Sequence, residues 1–392
     1  MIGSKKISPL VPATLGTLSA LGPFVTDFYL PVMPEMAEYF SASPSLIGAS
    51  LTTSMIGFAG GQILIGPLTD KFGRKRILLA SMILFVLSTL LIVIAPTIHF
   101  LNAMRLVQGL GGAGGIVVAK SMATDLYTGD ELVRFMALLG AITGIAPVAA
   151  PVVGGFLTYV TTWKGFFVAL FVLGIILTAL SCLLKETLAP SARDKRNVLH
   201  VYSNLFKVMR NPLFVVATLV QMAGMFVFFA YISSSSFILE QTYSLSPLAY
   251  SLCLGLNAIM ISVGSAVSMR FKNVAYALRV MCIGFLASCL FIAFCILTKQ
   301  PIFMLMMSYL LCMFFYGIMI AITNAVSMDS ERENAGSASA VLGALGFFAG
   351  AIASPLAVMG DIHFSTSALI IIGGFLMLIL TLLMISQMKR QV

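Results

Sequence analysis

Apolar runs of roughly 20 residues, separated by short polar breaks, recur along the whole chain. A helix needs about 20 apolar residues to cross a hydrocarbon core ~30 Å thick, so the pattern predicts about twelve membrane-spanning helices. They are expected near 9–32, 46–68, 77–96, 99–122, 135–160, 164–184, 212–236, 246–268, 279–298, 301–324, 336–358 and 364–386. The runs do not alternate as the strands of a membrane barrel would. The longest polar break, Lys185 to Asn211, predicts an all-α protein of two six-helix bundles, residues 1–188 and 212–392, joined by a linker at 189–211. A faint internal echo fits this division. Gly66-Pro-Leu-Thr-Asp70-Lys-Phe-Gly-Arg74 follows the second run, and Gly264-Ser-Ala-Val-Ser-Met-Arg270-Phe follows the eighth. Transporters built of two similar halves keep such traces, with the binding site between the halves near the midplane.

Composition agrees with the pattern. Of 392 residues, 59% are hydrophobic and 9% charged, too few polar side chains to cover a soluble globule. The net charge of +9 needs no nucleic acid, because its distribution is one-sided. Counting spans from the N-terminus puts 20 of the 23 Lys and Arg residues on one face. Only Lys164 and Lys299 fall on the other, and Arg105 lies inside a span. The positive-inside rule then places both termini in the cytoplasm. Lys5 and Lys6 before an apolar run imitate a secretory signal, but no cleavage site follows and Asp27 and Tyr29 interrupt the run, so an uncleaved first span is expected. The six cysteines sit within the runs, without metal-type spacing or a disulfide framework. His99, His200 and His363 are scattered, so no enzyme site, metal or cofactor is expected. A receptor or scaffold would need a soluble signalling domain, which the chain lacks.

Two charges inside apolar runs are the first functional candidates, since such charges are costly and mark ion paths or binding sites. Asp27 and Arg105 both fall about five residues from the outer ends of their spans, roughly 7 Å deep at 1.5 Å per residue. The shared depth leads to an expected Asp27–Arg105 pair.

Three motifs then carry a resemblance. Gly66-Pro-Leu-Thr-Asp70-Lys-Phe-Gly73-Arg74-Lys75-Arg76 resembles the loop signature of the major facilitator superfamily. Arg105-Leu-Val-Gln108-Gly109-Leu-Gly111-Gly112-Ala-Gly114-Gly115 is similar to the fourth-helix motif of its proton-coupled drug exporters. It contains G-x-G-x-x-G, yet without a preceding strand this is no dinucleotide site. Gly140-Ala-Ile-Thr-Gly144-Ile-Ala-Pro147-Val-Ala-Ala-Pro151-Val-Val-Gly154-Gly155 resembles the fifth-helix motif of the exporters, with Ala146 and Ala150 where Gly is usual. With Asp27-Phe-Tyr29-Leu-Pro31, Val117 to Lys120, Asp125-Leu-Tyr127 and Lys185-Glu-Thr-Leu188, the chain resembles the bicyclomycin-resistance (Bcr/CflA) group, densely in its first half and thinly in its second.

The resemblance implies a monomeric, multi-pass inner-membrane exporter that exchanges small amphiphilic drugs for protons. Export of one metabolite, such as a siderophore or amino-acid derivative, is the alternative, followed by uptake. Asp27 and Arg105 are the expected proton-coupling residues. Asp27, Tyr29, Gln108, Gln221, Tyr231, Asn257, Tyr316 and Asn324 are candidates for substrate binding. Gly66, Asp70, Gly73, Arg74 and Lys75 on one inner loop, and Glu331 and Glu333 on another, are expected to meet as a gate; Pro147, Pro151, Gly154 and Gly155 shape the antiporter helix.

Overall fold

A computed structural model describes residues 9–127, 129–193, 206–271, 273–331 and 335–391, and all regular structure within them is helical. Glu333 lies outside the described residues. Ten of the described helices are long and apolar enough to cross a membrane. These are α4 (Pro44–Phe72), α5 (Arg74–Val93), α6 (Ile98–Leu126), α8 (Trp163–Leu183), α9 (Pro212–Ser236), α10 (Pro247–Ser268), α11 (Val274–Leu297), α12 (Ile302–Ser330), α13 (Ala335–Ala357) and α14 (Ile362–Gln391). The other two expected spans have different forms. The first is broken into α1 (Leu10–Ser19), α2 (Leu21–Thr26), a 3-10 turn at Leu30–Val32 and α3 (Met33–Tyr39). The fifth is α7 (Gly129–Leu157), whose apolar stretch is Ile145–Leu157.

Local chemistry explains where helices start and stop. Ser43, Thr97, Asn211, Ser246 and Asn273 each accept a backbone N–H of the first turn, and Pro44, Pro212 and Pro247 follow as residues whose missing donor costs nothing there. Pro31 and Pro34 remove donors just after Asp27, which is where the first span loses its regular ladder. Gly73 alone separates α4 from α5, with φ of 100°, a conformation that favours glycine.

Within each half the helices pack side by side, α4 with α6, α5 with α6 and α8, α9 with α13 and α14, α10 with α12, and α11 with α14. The halves meet through α4 against α13 and α7 against α10. Two contacts repeat between halves. A Cβ on Gly57 would overlap the Leu106 carbonyl and one on Gly109 the Ser54 carbonyl, while Gly264 and Gly317 stand in the same way against the Phe314 and Ile261 carbonyls. Backbones this close are the means by which membrane helices associate without a hydrophobic drive. Gly317→Leu or Gly109→Leu should therefore lower the melting temperature of the purified protein sharply, since overpacking costs about 1–3 kcal/mol or more. Gly60→Ala, where a Cβ meets nothing within 4 Å, should leave the melt unchanged.

Candidate functional site

Between the halves lies a small cavity. Its walls are Asp27, Pro147 and Pro151 from the N-terminal half, and Phe228, Tyr231, Ile232, Leu254, Asn257, Ala258 and Ile261 from the C-terminal half. Five residues singled out from the sequence, Asp27, Tyr231, Asn257, Pro147 and Pro151, thus meet at one place. The break in the first span helps position the acid. Asp27 caps α2, its N–H donating to the Pro23 carbonyl at 2.7 Å, and Gly154 of α7 has no Cβ because the Phe28 carbonyl occupies that space. Gly155 stands likewise against Ser251 of α10. The two prolines free backbone carbonyls of α7 beside the cavity.

The polar groups that line the cavity are those of Asp27, Tyr231 and Asn257. The Thr26 hydroxyl donates to Asp27 Oδ1 at 2.7 Å, and among the described residues Asp27 makes no ion pair. Asn257 Nδ2 donates to the Tyr231 hydroxyl at 2.6 Å, which leaves Asn257 Oδ1 buried and unpartnered. No Lys or Arg is among the lining residues. Phe228 stacks on Tyr316 at 5.0 Å between ring centroids, and the Tyr316 hydroxyl donates to Met225 Sδ at 2.9 Å. Tyr316 therefore backs the cavity wall without lining it.

The expected Asp27–Arg105 pair does not form. Arg105 is 0% exposed and donates to the Ser50 carbonyl (3.3 Å), Gln108 Oε1 (2.5 Å), the Val25 carbonyl (2.9 Å) and Ser54 Oγ (3.1 Å), with its guanidinium 4.5 Å from the Tyr29 ring centre. The reason is directional. Arg105 meets the backbone carbonyl of Val25 and the ring of Tyr29, on either side of Asp27, while the Asp27 side chain lines the cavity between the halves. The depth estimate brought Asp27 and Arg105 to one layer, and the break in the first span turns the acid away from the base.

Other candidates also belong to packing rather than to the cavity. Gln108 Nε2 donates to Thr89 Oγ1 at 2.8 Å, the Tyr29 hydroxyl shares a 2.7 Å hydrogen bond with Ser50 Oγ, and Gln221 Oε1 accepts from Thr323 Oγ1 at 3.5 Å. Asn324 is half-buried on α12 and does not line the cavity.

At the basic face the residues expected to form the N-terminal side of the gate sit in a cluster within the N-terminal half. Arg74 binds Asp70, Asp125 Oδ2 (3.1 Å) and Thr69 Oγ1 (2.6 Å), and its backbone N–H donates to Glu186 Oε1 at 2.9 Å. Lys75 Nζ donates to the Cys182 carbonyl at 2.7 Å. Glu331 accepts from Asn211 Nδ2 at 2.8 Å, so it is held by its own half. Gly66 has open space on its Cβ side, with only Val117 at 4.0 Å. At the face opposite the basic loops the halves do touch: Ser354 Oγ of α13 donates to the Gly48 carbonyl of α4 (3.2 Å), and within the C-terminal half Ser233 Oγ donates to the Ser354 carbonyl (3.1 Å).

The family described as Major Facilitator Superfamily matches residues 15–355. The chain belongs to the major facilitator superfamily. It is 34% identical over 348 residues to a Bacillus subtilis protein described as an uncharacterized MFS-type transporter, YdgK, with 87% of each chain covered. It is 28% identical to a Haemophilus influenzae bicyclomycin resistance protein homolog, covering 88% of this chain and 87% of the relative. The fold matches a bacterial homolog of the human lysosomal transporter Spinster, in its inward-facing, occupied conformation, with a TM-score of 0.73 at 15% identity over 100% of this chain and 98% of the other.

This facilitator-superfamily protein is thus a multi-pass membrane transporter and not an enzyme. Among its site residues, Phe228, Ile232, Leu254, Ala258 and Ile261 carry no sequence signal of their own, being ordinary apolar residues that only the packing of α9 and α10 on α12 aims inward. Asp125 and Glu186, which hold Arg74, could have been suspected as acids at the ends of spans next to a basic loop.

Proposed function

We propose that this transporter exports small amphiphilic molecules in exchange for protons, with Asp27 as the group for which proton and substrate compete. The observation that carries the reading is the cavity itself: one carboxylic acid, the Tyr231 hydroxyl and one unpartnered amide oxygen, no basic residue among the described lining residues, and an otherwise apolar wall shared by the two halves. Such a site favours a small ligand that bears an N–H donor on an apolar body, because a donor satisfies Asn257 Oδ1 and a positive one also neutralises Asp27. Empty, the acid is neutral when it holds a proton; occupied, it is neutralised by the ligand. Exchange follows from that alternative. The contacts of Ser354 with Gly48 and of Gly155 with Ser251 support a state closed at the face opposite the basic loops, which we take as the outer face of the inner membrane. The similarity to a bicyclomycin resistance homolog supports drug-like substrates.

Addition of a lipophilic cation, such as ethidium, to the purified protein in weakly buffered detergent solution should release close to one proton per bound ligand. In Asp27→Asn the release should vanish. Binding without release in the unaltered protein would refute the competition.

A further inference from the structure

The span that begins at Pro212 does not end at Ser236, where its apolar run does. It continues six residues as a π-helix, Phe237–Thr242, and carries Glu240 on that segment. π-turns are rare and recur at functional sites, because the wider turn re-aims side chains and loosens the backbone ladder. Glu240 is partly buried, and its Oε1 is sealed from solvent with no hydrogen-bond partner. Four residues earlier on the same stretch, Ser236 is 0% exposed and its hydroxyl is also unpartnered. Two unsatisfied polar groups at this spacing share one side of the helix. A carboxylate left so is unfavourable while ionised, whereas the protonated acid removes the charge and gains a donor.

The neighbours contain no base that would neutralise Glu240 permanently. On α10 the group that faces it is Tyr250, whose hydroxyl shares a 3.1 Å hydrogen bond with Ser235 Oγ. Tyr250 stands within electrostatic reach of both Glu240 and Asp27. On α14, His363 meets Thr242 Oγ1 at 3.0 Å and lies 3.5 Å from Asp361 Oδ1. In the next loop, the Gln300 carbonyl beside Lys299 accepts from the Tyr243 hydroxyl at 2.8 Å. None of these forms an ion pair with Glu240.

We propose that Glu240 is a second protonation site of the transport cycle, loaded from the face opposite the basic loops. Its carboxylate takes a proton from water at that face, forming a neutral acid, and gives it up again when the site empties; no other bond changes. The proposal rests on the exchange reading for its place in the cycle, but Glu240 can be tested without transport.

The experiment is carbodiimide labelling of the full-length protein in right-side-out membrane vesicles, read by peptide mass spectrometry. A hydrophobic carbodiimide reacts with protonated carboxyls in apolar surroundings. Label is expected on Glu240, and it should fall by about tenfold for each pH unit by which the medium exceeds the titration point, with the interior pH held constant. No label on Glu240, or label indifferent to the pH of the medium, would overturn the proposal. So would protection of Glu240 by sodium ions at constant pH, which would indicate a metal-cation site. Glu240→Gln should make ethidium export several-fold less sensitive to the pH of that face. An unchanged dependence counts against the proposal as well. If Asp27→Asn still transports against a gradient while Glu240 labels as expected, the exchange reading fails alone; if Asp27→Asn is inactive and Glu240 does not label, the second site fails alone.

Discussion

Asp27→Asn is expected to reduce proton-driven accumulation of substrate in inside-out vesicles to the level of vesicles without the protein. The substitution isolates the proton from everything else the residue does. Asn has nearly the size of Asp, its Oδ1 can still accept the Thr26 hydroxyl that now lies 2.7 Å away, and Asp27 makes no ion pair among the described residues that the change would break. Its contact with the Pro23 carbonyl is through the backbone and is untouched. The fold and its melting temperature should therefore be preserved, and only the capacity to alternate between charged and neutral should disappear. Substrate can still move downhill through a site that no longer titrates. Retention of uphill transport by Asp27→Asn, in vesicles that collapse when the proton gradient is dissipated, would remove Asp27 from the coupling step.

How far the sequence reaches is clearest at this acid. Hydropathy is a one-dimensional signal, and the width of the bilayer converts it into depth, so the spans and the layer shared by Asp27 and Arg105 were legible. Azimuth was not. Whether Asp27 faces Arg105 or the C-terminal half depends on which side of α2 packs on α6, and that is set by glycines such as Gly109 that let α6 lie close to α4. The same limit accounts for the gate. Arg74 could have paired with any acid at the basic face, and it meets Asp125 and Glu186 because α6 and α8 flank α5 within one half. Ser233 to Ser236 illustrate a third failure. They stand at the end of the apolar run, yet all four are 0% exposed because the helix runs on to Thr242 and α13 covers them. In the second half, where motifs are sparse, Tyr231 and Asn257 were found only as polar residues in apolar surroundings, and Gln221 and Asn324, chosen by the same rule, do not line the cavity.

Arg105→Ala should show the opposite profile to Asp27→Asn, with a large loss of stability and a loss of transport that follows from it. The guanidinium joins three elements: the Val25 carbonyl of α2, the Ser50 carbonyl and Ser54 hydroxyl of α4, and Gln108 on its own helix. Tyr29 and Phe167 cover it at 4.5 and 5.7 Å, so water has no access to the acceptors once the side chain is gone. Each buried acceptor left without a donor costs about 1–3 kcal/mol, and partial relaxation makes a total of roughly 3–5 kcal/mol reasonable for the site. Arg105→Lys should recover only part of this, since one ammonium has three donors on a single atom and cannot span from α2 to α4 as the planar fork does. Thermal unfolding of the purified variants tests the claim directly. If Arg105→Ala melts like the unaltered protein and instead shifts the pH at which ethidium export is half-maximal, the guanidinium acts on Asp27 after all, and the pair expected from depth forms in another state of the cycle.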